Sequence, residues 1–284
     1  MKIIDSSSDL QKLVTHLKSQ TQRICLVPTM GNLHDGHLAL IKEGKNHSDI
    51  IIVSIFVNPL QFNNSDDLEN YPRTLQQDIQ KLSDMGVNVV FTPTPEMMYP
   101  EGIENHTYIE VPVISDILCG KDRPGHFRGV ATIVAKLFML VRPDIAIFGK
   151  KDFQQLMIIR KLVKDFSLNI EIIGLETYRE QSGLAMSSRN NLLTEDEKLK
   201  ASEIYRTMLR TKDKILKGDK NFSALEQEAK QNLKSCQFKI DYYEIRNREN
   251  LLPASVMDNK LIIFVAAYMG IPRLIDNLAV DIVP

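Results

Sequence analysis

The stretch RICLVPTMGNLHDGHLAL, residues 23 to 40, decides how the chain folds. Its first eight residues read as a strand built on the apolar run Ile24 to Val27, and Gly31 then opens a turn that leads into a helical pattern. His34 and His37 stand at the mouth of that helix. Working outward, DIIIVSIFVN (49–58), VNVVFTP (87–93), DIAIFGK (144–150) and NIEIIGL (169–175) read as four more strands. The segments between them read as helices, which predicts a parallel sheet in an α/β domain. Strands this apolar are covered on both faces.

The intervening helices carry their own punctuation. Thr74 and Gln77 have capping-box spacing, Leu75, Ile79 and Leu82 share one helical face, and Gly86 follows as a stop. Val130, Ile133, Val134, Leu137, Phe138 and Val141 form one broad apolar stripe that ends before Pro143. A further amphipathic helix over about 153 to 166 buries Leu156, Ile159 and Val163.

Past Leu175 the texture changes to a polar loop. Two charged helices follow, starting near a second capping-box pair, Thr194 and Glu197, and then come strands such as KIDYYEIR (239–246) and KLIIFVAAYMG (260–270). The expected organisation is an α/β domain over 1–176 and a smaller α+β domain over 177–284.

Composition excludes several classes of function. With 35 basic and 36 acidic residues the chain has no global field to draw it to nucleic acid or an anionic membrane. The start, MKIIDSSSDL, lacks the features of a signal peptide, and the apolar run from Leu261 to Met269 is too short to span a bilayer, so a cytoplasmic location is expected. Cys25, Cys119 and Cys236 are widely spaced and suggest neither a disulfide framework nor a zinc site. They read as bystanders.

Any anion must therefore be held locally. The helix mouth offers free N–H groups and two imidazoles, with Gly36 leaving room for close approach. The HxGH spacing alone is equally compatible with local capping, and less so with a shared metal, because no further ligand pattern lies nearby. The chain has neither a GxxxxGK[ST] loop nor a GxGxxG fingerprint. Two later segments supply polar groups instead: FGKKDFQQL (148–156) and GLAMSSRN (183–190). In the first, Lys151 is placed to reach a phosphate and Asp152 a ribose hydroxyl, with Lys150 a bystander. In the second, Ser187, Ser188 and Arg189 suit a leaving pyrophosphate.

Taken in order, PTMGxLHxGH, FVNPxQF, YPRT, RPGHFRGV, FGxKDxQQ and LAMSSRN, spread over residues 28 to 190, resemble the pantothenate synthetase family. The resemblance implies a Rossmann-like parallel-sheet domain of the HxGH nucleotidyltransferase type, a smaller C-terminal domain that closes over it, and a homodimer. It implies ATP, accompanied by Mg²⁺, with pantoate and β-alanine as the other substrates and a pantoyl adenylate as intermediate, while the charge balance above leads to the expectation of no nucleic-acid or membrane partner. Carried over by position, His34, His37 and Lys151 bind the ATP phosphates, Ser187, Ser188 and Arg189 hold the β and γ groups, and Met30 lends its backbone N–H. Gly36 and Asp152 contact ribose, while Gly149, Tyr178 and Met186 lie along adenine. Asn58, Gln61 and Gln155 bind pantoate, with Pro28, Met30 and Val130 as its apolar wall. A phosphate acceptor would call for Arg or Lys where those three amides stand. Arg128 is the charge to test in RPGHFRGV, most of which reads as architecture. Asp78 reads as a helix-surface carboxylate or a partner of magnesium-bound water, and Asn63 and Asn64 stand where the family has glycine.

Overall fold

The computed structural model describes residues 1–63 and 65–282. The chain forms two compact units, Met1–Glu176 and Thr177–Pro284. The first runs β1 (Lys2–Ile4), α1 (Ser7–Ser19), β2 (Ile24–Thr29), α2 (Asp35–His47), β3 (Ile50–Ile55), a 3₁₀ turn Pro59–Gln61, α3 (Ser65–Glu69) and α4 (Leu75–Asp84). It continues with β4 (Val89–Phe91), α5 (Pro95–Met98), α6 (Cys119–Asp122), α7 (His126–Val141), β5 (Ile145–Gly149), a 3₁₀ turn Lys150–Asp152, α8 (Phe153–Asp165) and β6 (Glu171–Leu175).

The sheet is six-stranded in the order β1-β4-β3-β2-β5-β6, and its pairings are parallel. The five strands expected from the sequence are present. The sixth, β1, extends the edge by pairing Lys2–Ile4 with Val89–Phe91. Both faces of the centre are covered: Ile24 to Val27 are buried without alternation, with Cys25 and Val27 joining Ile41, Ile51, Val53, Ile145 and Ile147 in one cluster. Burial pushes the Cys25 thiol up to about 12, which keeps it inert. The stripe on α7 is buried as expected, and at about 1.5–3 kcal/mol per buried aliphatic side chain it anchors this helix firmly.

Helix α4 departs from expectation. Thr74 is its N-cap but makes no capping bond, and Leu75 is exposed. What α4 buries instead is Leu82 and the carboxylate of Asp78. Asp78 is 1% exposed, so the surface reading is corrected.

The second unit packs α9 (Glu195–Ala201), α10 (Glu203–Leu216) and α11 (Phe222–Ser235) with an antiparallel sheet of β7 (Lys239–Asn247), β8 (Lys260–Tyr268) and β9 (Arg273–Asp281). The Thr194–Glu197 capping box forms. Three helices stand where two were expected, because Ser202 ends α9 and opens α10. No helix among the described residues is long and apolar enough to cross a membrane.

Candidate active site

The chain leaves β2 toward one edge of the sheet through β3 and β4, then returns to the other side of β2 with β5. Such a switch point opens a crevice at the carboxyl ends of the strands. Its opening here is visible in the register. β2 pairs with β3 along its full length, Ile24–Thr29, but with β5 only at Cys25–Ile145 and Leu26–Ala146. The carbonyl of Thr29 accepts from Phe56 N at 3.0 Å and so faces the β3 side. Its neighbour Pro28 therefore faces β5 and has no N–H to continue that ladder.

The turn after β2 is held from below. Gly31 (φ +80°) and Asn32 (φ +49°) are both left-handed, and a Cβ at Gly31 would lie 3.2 Å from Asp78 Oδ2. The Asp78 carboxylate accepts from Asn32 N (2.9 Å), Leu33 N (2.8 Å) and the Thr74 hydroxyl (3.1 Å). Lys81 Nζ, one turn along α4, donates to Leu33 O at 2.6 Å. These contacts set the backbone leading into His34.

His34 is the N-cap of α2 and His37 its third residue. The rings lie 4.0 Å apart between centroids, tilted by 34°. His34 N–H donates to His37 Nδ1 at 3.3 Å, so in the neutral ring the His37 proton sits on Nε2. His34 Nδ1 is buried with no hydrogen-bond partner. Burial holds His34 down at about 4, helped by the Lys151 ammonium, and holds His37 at about 3, helped by His34 and Lys151. Both imidazoles are neutral at pH 7, and the Lys151 charge acts on both.

Lys151 lies in the 3₁₀ turn that follows β5, so the two strand ends at the switch point supply the imidazole pair and the ammonium. Lys150 is ion-paired with Glu176, in keeping with its bystander reading. Asp152 is exposed and occupies the N-cap of α8 without making a capping bond. A Cβ at Gly149 would meet nothing closer than Lys151 N at 4.0 Å, so packing does not demand that glycine. Met30 and Gly36 are half-buried.

The amide residues are less alike than their chemistry suggested. Asn58 is 1% exposed and engaged within the protein: its Nδ2 donates to Gly129 O at 3.1 Å, and its Oδ1 accepts from Tyr99 Oη at 2.8 Å. Gln61 is also buried, and Gln155 is half-buried on α8. Val130 is 1% exposed inside α7, which leaves Pro28 and Met30 as the more open part of the expected wall. Arg128 is spent on the surface, with its guanidinium paired to Glu110 and lying over the Tyr108 ring. The RPGH residues that reach inward are Arg123 and His126, which sequence reasoning had folded into architecture. Asn63 Nδ2 donates to Pro124 O at 2.6 Å, while Asn64 lies outside the described residues.

In the second unit, residues 178–186 fold back on themselves. Glu180 N pairs with Leu184 O, Met186 N with Tyr178 O, and Arg179 bridges Ala185. The Arg179 guanidinium closes a bidentate pair with the buried Asp276, at 2.6 and 3.0 Å, over the Tyr205 ring. Ser187 caps a 3₁₀ turn, Ser188–Leu192, by accepting from Arg189 N. Asn190 braces the turn through Glu180 and Ala185 O. Ser188 and Arg189 are half-buried on it, and Tyr178 is exposed.

An open parallel sheet with neutral imidazoles and a lysine at its switch point defines a nucleotide-binding α/β protein. The chain belongs to the pantoate-beta-alanine ligase family, whose model matches residues 2–279. It is 51% identical over 277 residues to the pantothenate synthetase of Shewanella halifaxensis, covering 98% of each chain, and 49% identical over 282 residues to that of Aliivibrio fischeri, covering 99% of this chain and 97% of the relative. Among solved structures it resembles the pantothenate synthetase of Thermus thermophilus with a TM-score of 0.91 at 38% identity, over 98% of this chain and 99% of that one. It also resembles the pantoate-beta-alanine ligase of Francisella tularensis, solved with beta-gamma ATP and beta-alanine, with a TM-score of 0.80 at 42% identity, over 98% and 97%.

Proposed function

We propose that the protein joins pantoate to β-alanine at the expense of ATP through a pantoyl adenylate. A pantoate carboxylate oxygen bonds to the α-phosphorus and pyrophosphate leaves. The β-alanine amine then bonds to the acyl carbon, AMP leaves, and the amine gives up a proton. The observation that carries this reading is the meeting at one switch point of two neutral imidazoles and the Lys151 charge.

Neutral rings bring no positive charge that must be desolvated, His37 can donate through Nε2–H, and the ammonium then meets charge that grows on the oxygens of the transferring phosphoryl group. His34, His37 and Lys151 are assigned to the phosphates on these grounds, with Mg²⁺ arriving as part of the nucleotide substrate. Ser187, Ser188 and Arg189 are assigned to the β and γ groups, Gly36 and Asp152 to ribose, and Gly149, Tyr178 and Met186 to adenine. Gln61 and Gln155 are assigned to pantoate, beside Pro28 and Met30. Asn58 is assigned there through the one amide hydrogen its internal bonds leave over. No protein nucleophile enters, so catalysis is positioning and charge stabilisation. The second unit is read as a lid, the assembly as a homodimer, and the location as the cytoplasm.

The test is AMP release from MgATP and pantoate with and without β-alanine, the acyl product being identified by mass. AMP and an amide that require both acids are expected. A stable adenylated acceptor with no amide would overturn the reading.

A further inference from the structure

The segment from Asn58 to Asn63 is fastened to the start of α7 along its whole length. Asn58 Nδ2 reaches Gly129 O and Asn63 Nδ2 reaches Pro124 O. Between them the main-chain carbonyl of Gln61 accepts from Arg123 Nη2 and from His126 Nδ1, each at 2.8 Å. Arg123 Nη1 also lies 3.1 Å from His126 Nε2.

The donor count fixes the chemistry of this knot. A carbonyl only accepts and a guanidinium only donates, so His126 must carry its proton on Nδ1 and accept at Nε2. Two donors fill both lone pairs of the Gln61 oxygen, one of them charged. That carbonyl ends the 3₁₀ turn Pro59–Gln61, where helical bonding leaves an acceptor unsatisfied. With its carbonyl held from two directions and its N–H bonded to Asn58 O at 3.1 Å, the Gln61 peptide has little freedom. The Cα–Cβ bond from which its side chain departs is held in place with it.

We propose that Arg123 and His126 are positioning residues for pantoate, acting on the substrate only through the main chain of Gln61. The inference rests on the assignment of Gln61 to pantoate. It differs from a purely architectural role for RPGH in one respect: the benefit of the clamp vanishes when the Gln61 side chain is absent.

The experiment measures KM for pantoate, KM for ATP and kcat in Gln61→Ala, Arg123→Met, the double variant, His126→Ala and His126→Asn. Gln61→Ala is expected to raise the pantoate KM. Arg123→Met is expected to raise it on the order of tenfold, as for loss of one charge-assisted hydrogen bond, with the ATP KM within about twofold of wild type. The double variant is expected to be no worse than Gln61→Ala alone. His126→Asn keeps an N–H donor near the Nδ1 position and should bind pantoate better than His126→Ala. Should Arg123→Met misfold, the two His126 variants carry the test by themselves. Full additivity of Arg123→Met on Gln61→Ala would overturn the proposal, as would equal behaviour of the His126 pair. A Gln61→Ala enzyme with an unchanged pantoate KM would remove the assignment of Gln61 and the clamp with it, whereas a raised KM with an indifferent Arg123→Met would remove the clamp alone.

Discussion

At the scale of single residues, the site works by withholding charge where another side chain would accept it. Both imidazoles are held neutral, chiefly by burial, while the Lys151 and Lys81 charges act on both. The same burial has a cost in acid. An unfolded histidine titrates near 6.5, so below that pH the unfolded chain binds protons that the folded chain refuses until about pH 4 at His34 and about pH 3 at His37. The pair's contribution is therefore fully present above pH 6.5 and is lost as pH falls through that window. Urea unfolding between pH 7 and pH 4 should show a shallower acid decline in His37→Asn, whose side-chain oxygen can replace Nδ1 as acceptor without titrating. An unchanged slope would mean that His37 is not held neutral. Asp78 is the second residue of this kind. Asn in its place keeps one oxygen to accept from one of the Asn32 and Leu33 N–H groups and turns an NH₂ toward the other, which should cost about 1–3 kcal/mol. If the turn is what Asp78 serves, the ATP KM should rise more than the pantoate KM in protein that is still folded. Equal kinetics with a lowered melting temperature would confine Asp78 to stability.

At the scale of elements, the contact between α7 and the 3₁₀ turn joins architecture to the residues assigned to pantoate. A Cβ at Gly129 would lie 2.4 Å from Leu60 O and 2.7 Å from Leu60 C, both backbone atoms that cannot rotate away. Gly129→Ala gains about 1 kcal/mol of helix propensity but must push the turn aside, at about 1–3 kcal/mol. Net destabilisation with a raised pantoate KM is expected, by thermal melt and steady-state kinetics. A more stable variant with unchanged kinetics would show that the contact is slack. The elements also show what could be read from sequence. Five strands of the first unit, β7 and β8 of the second, and helices α7 and α8 were legible because apolar runs and a broad apolar stripe leave few alternatives. β1 was missed because three residues carry no periodicity and its pairing is supplied by β4. β9 was missed because Asp276 and Asn277 interrupt its apolar pattern, both buried, with Asp276 answering Arg179 across the unit. At the site, the histidines and Lys151 stood in motifs on strand ends, whereas Asp78, Arg123 and His126 act through main-chain atoms. No side-chain pattern announces such a partner.

At the scale of the whole molecule, the residues assigned to the phosphates fall into two sets, His34, His37 and Lys151 in the first unit and Ser187, Ser188 and Arg189 in the second. Each unit has its own core. Ligand binding stabilises only what it contacts or what is coupled to it, by about 2.7 kcal/mol at a hundredfold excess over Kd. Amide exchange read peptide by peptide can therefore separate the two sets. MgATP alone should slow exchange over residues 31–40 and 148–153 in the first unit and over 186–190 in the second. Arg189→Ala should lose the protection at 186–190 and weaken ATP binding, yet keep protection over 31–40 once the nucleotide concentration is raised to compensate. Lys151→Ala should diminish both sets together, since it removes the charge on which the phosphates are read to rest. If saturating MgATP leaves 186–190 exchanging as in the free enzyme, the assignment of Ser187, Ser188 and Arg189 to the phosphates falls, and the first unit alone must hold the nucleotide before pantoate arrives.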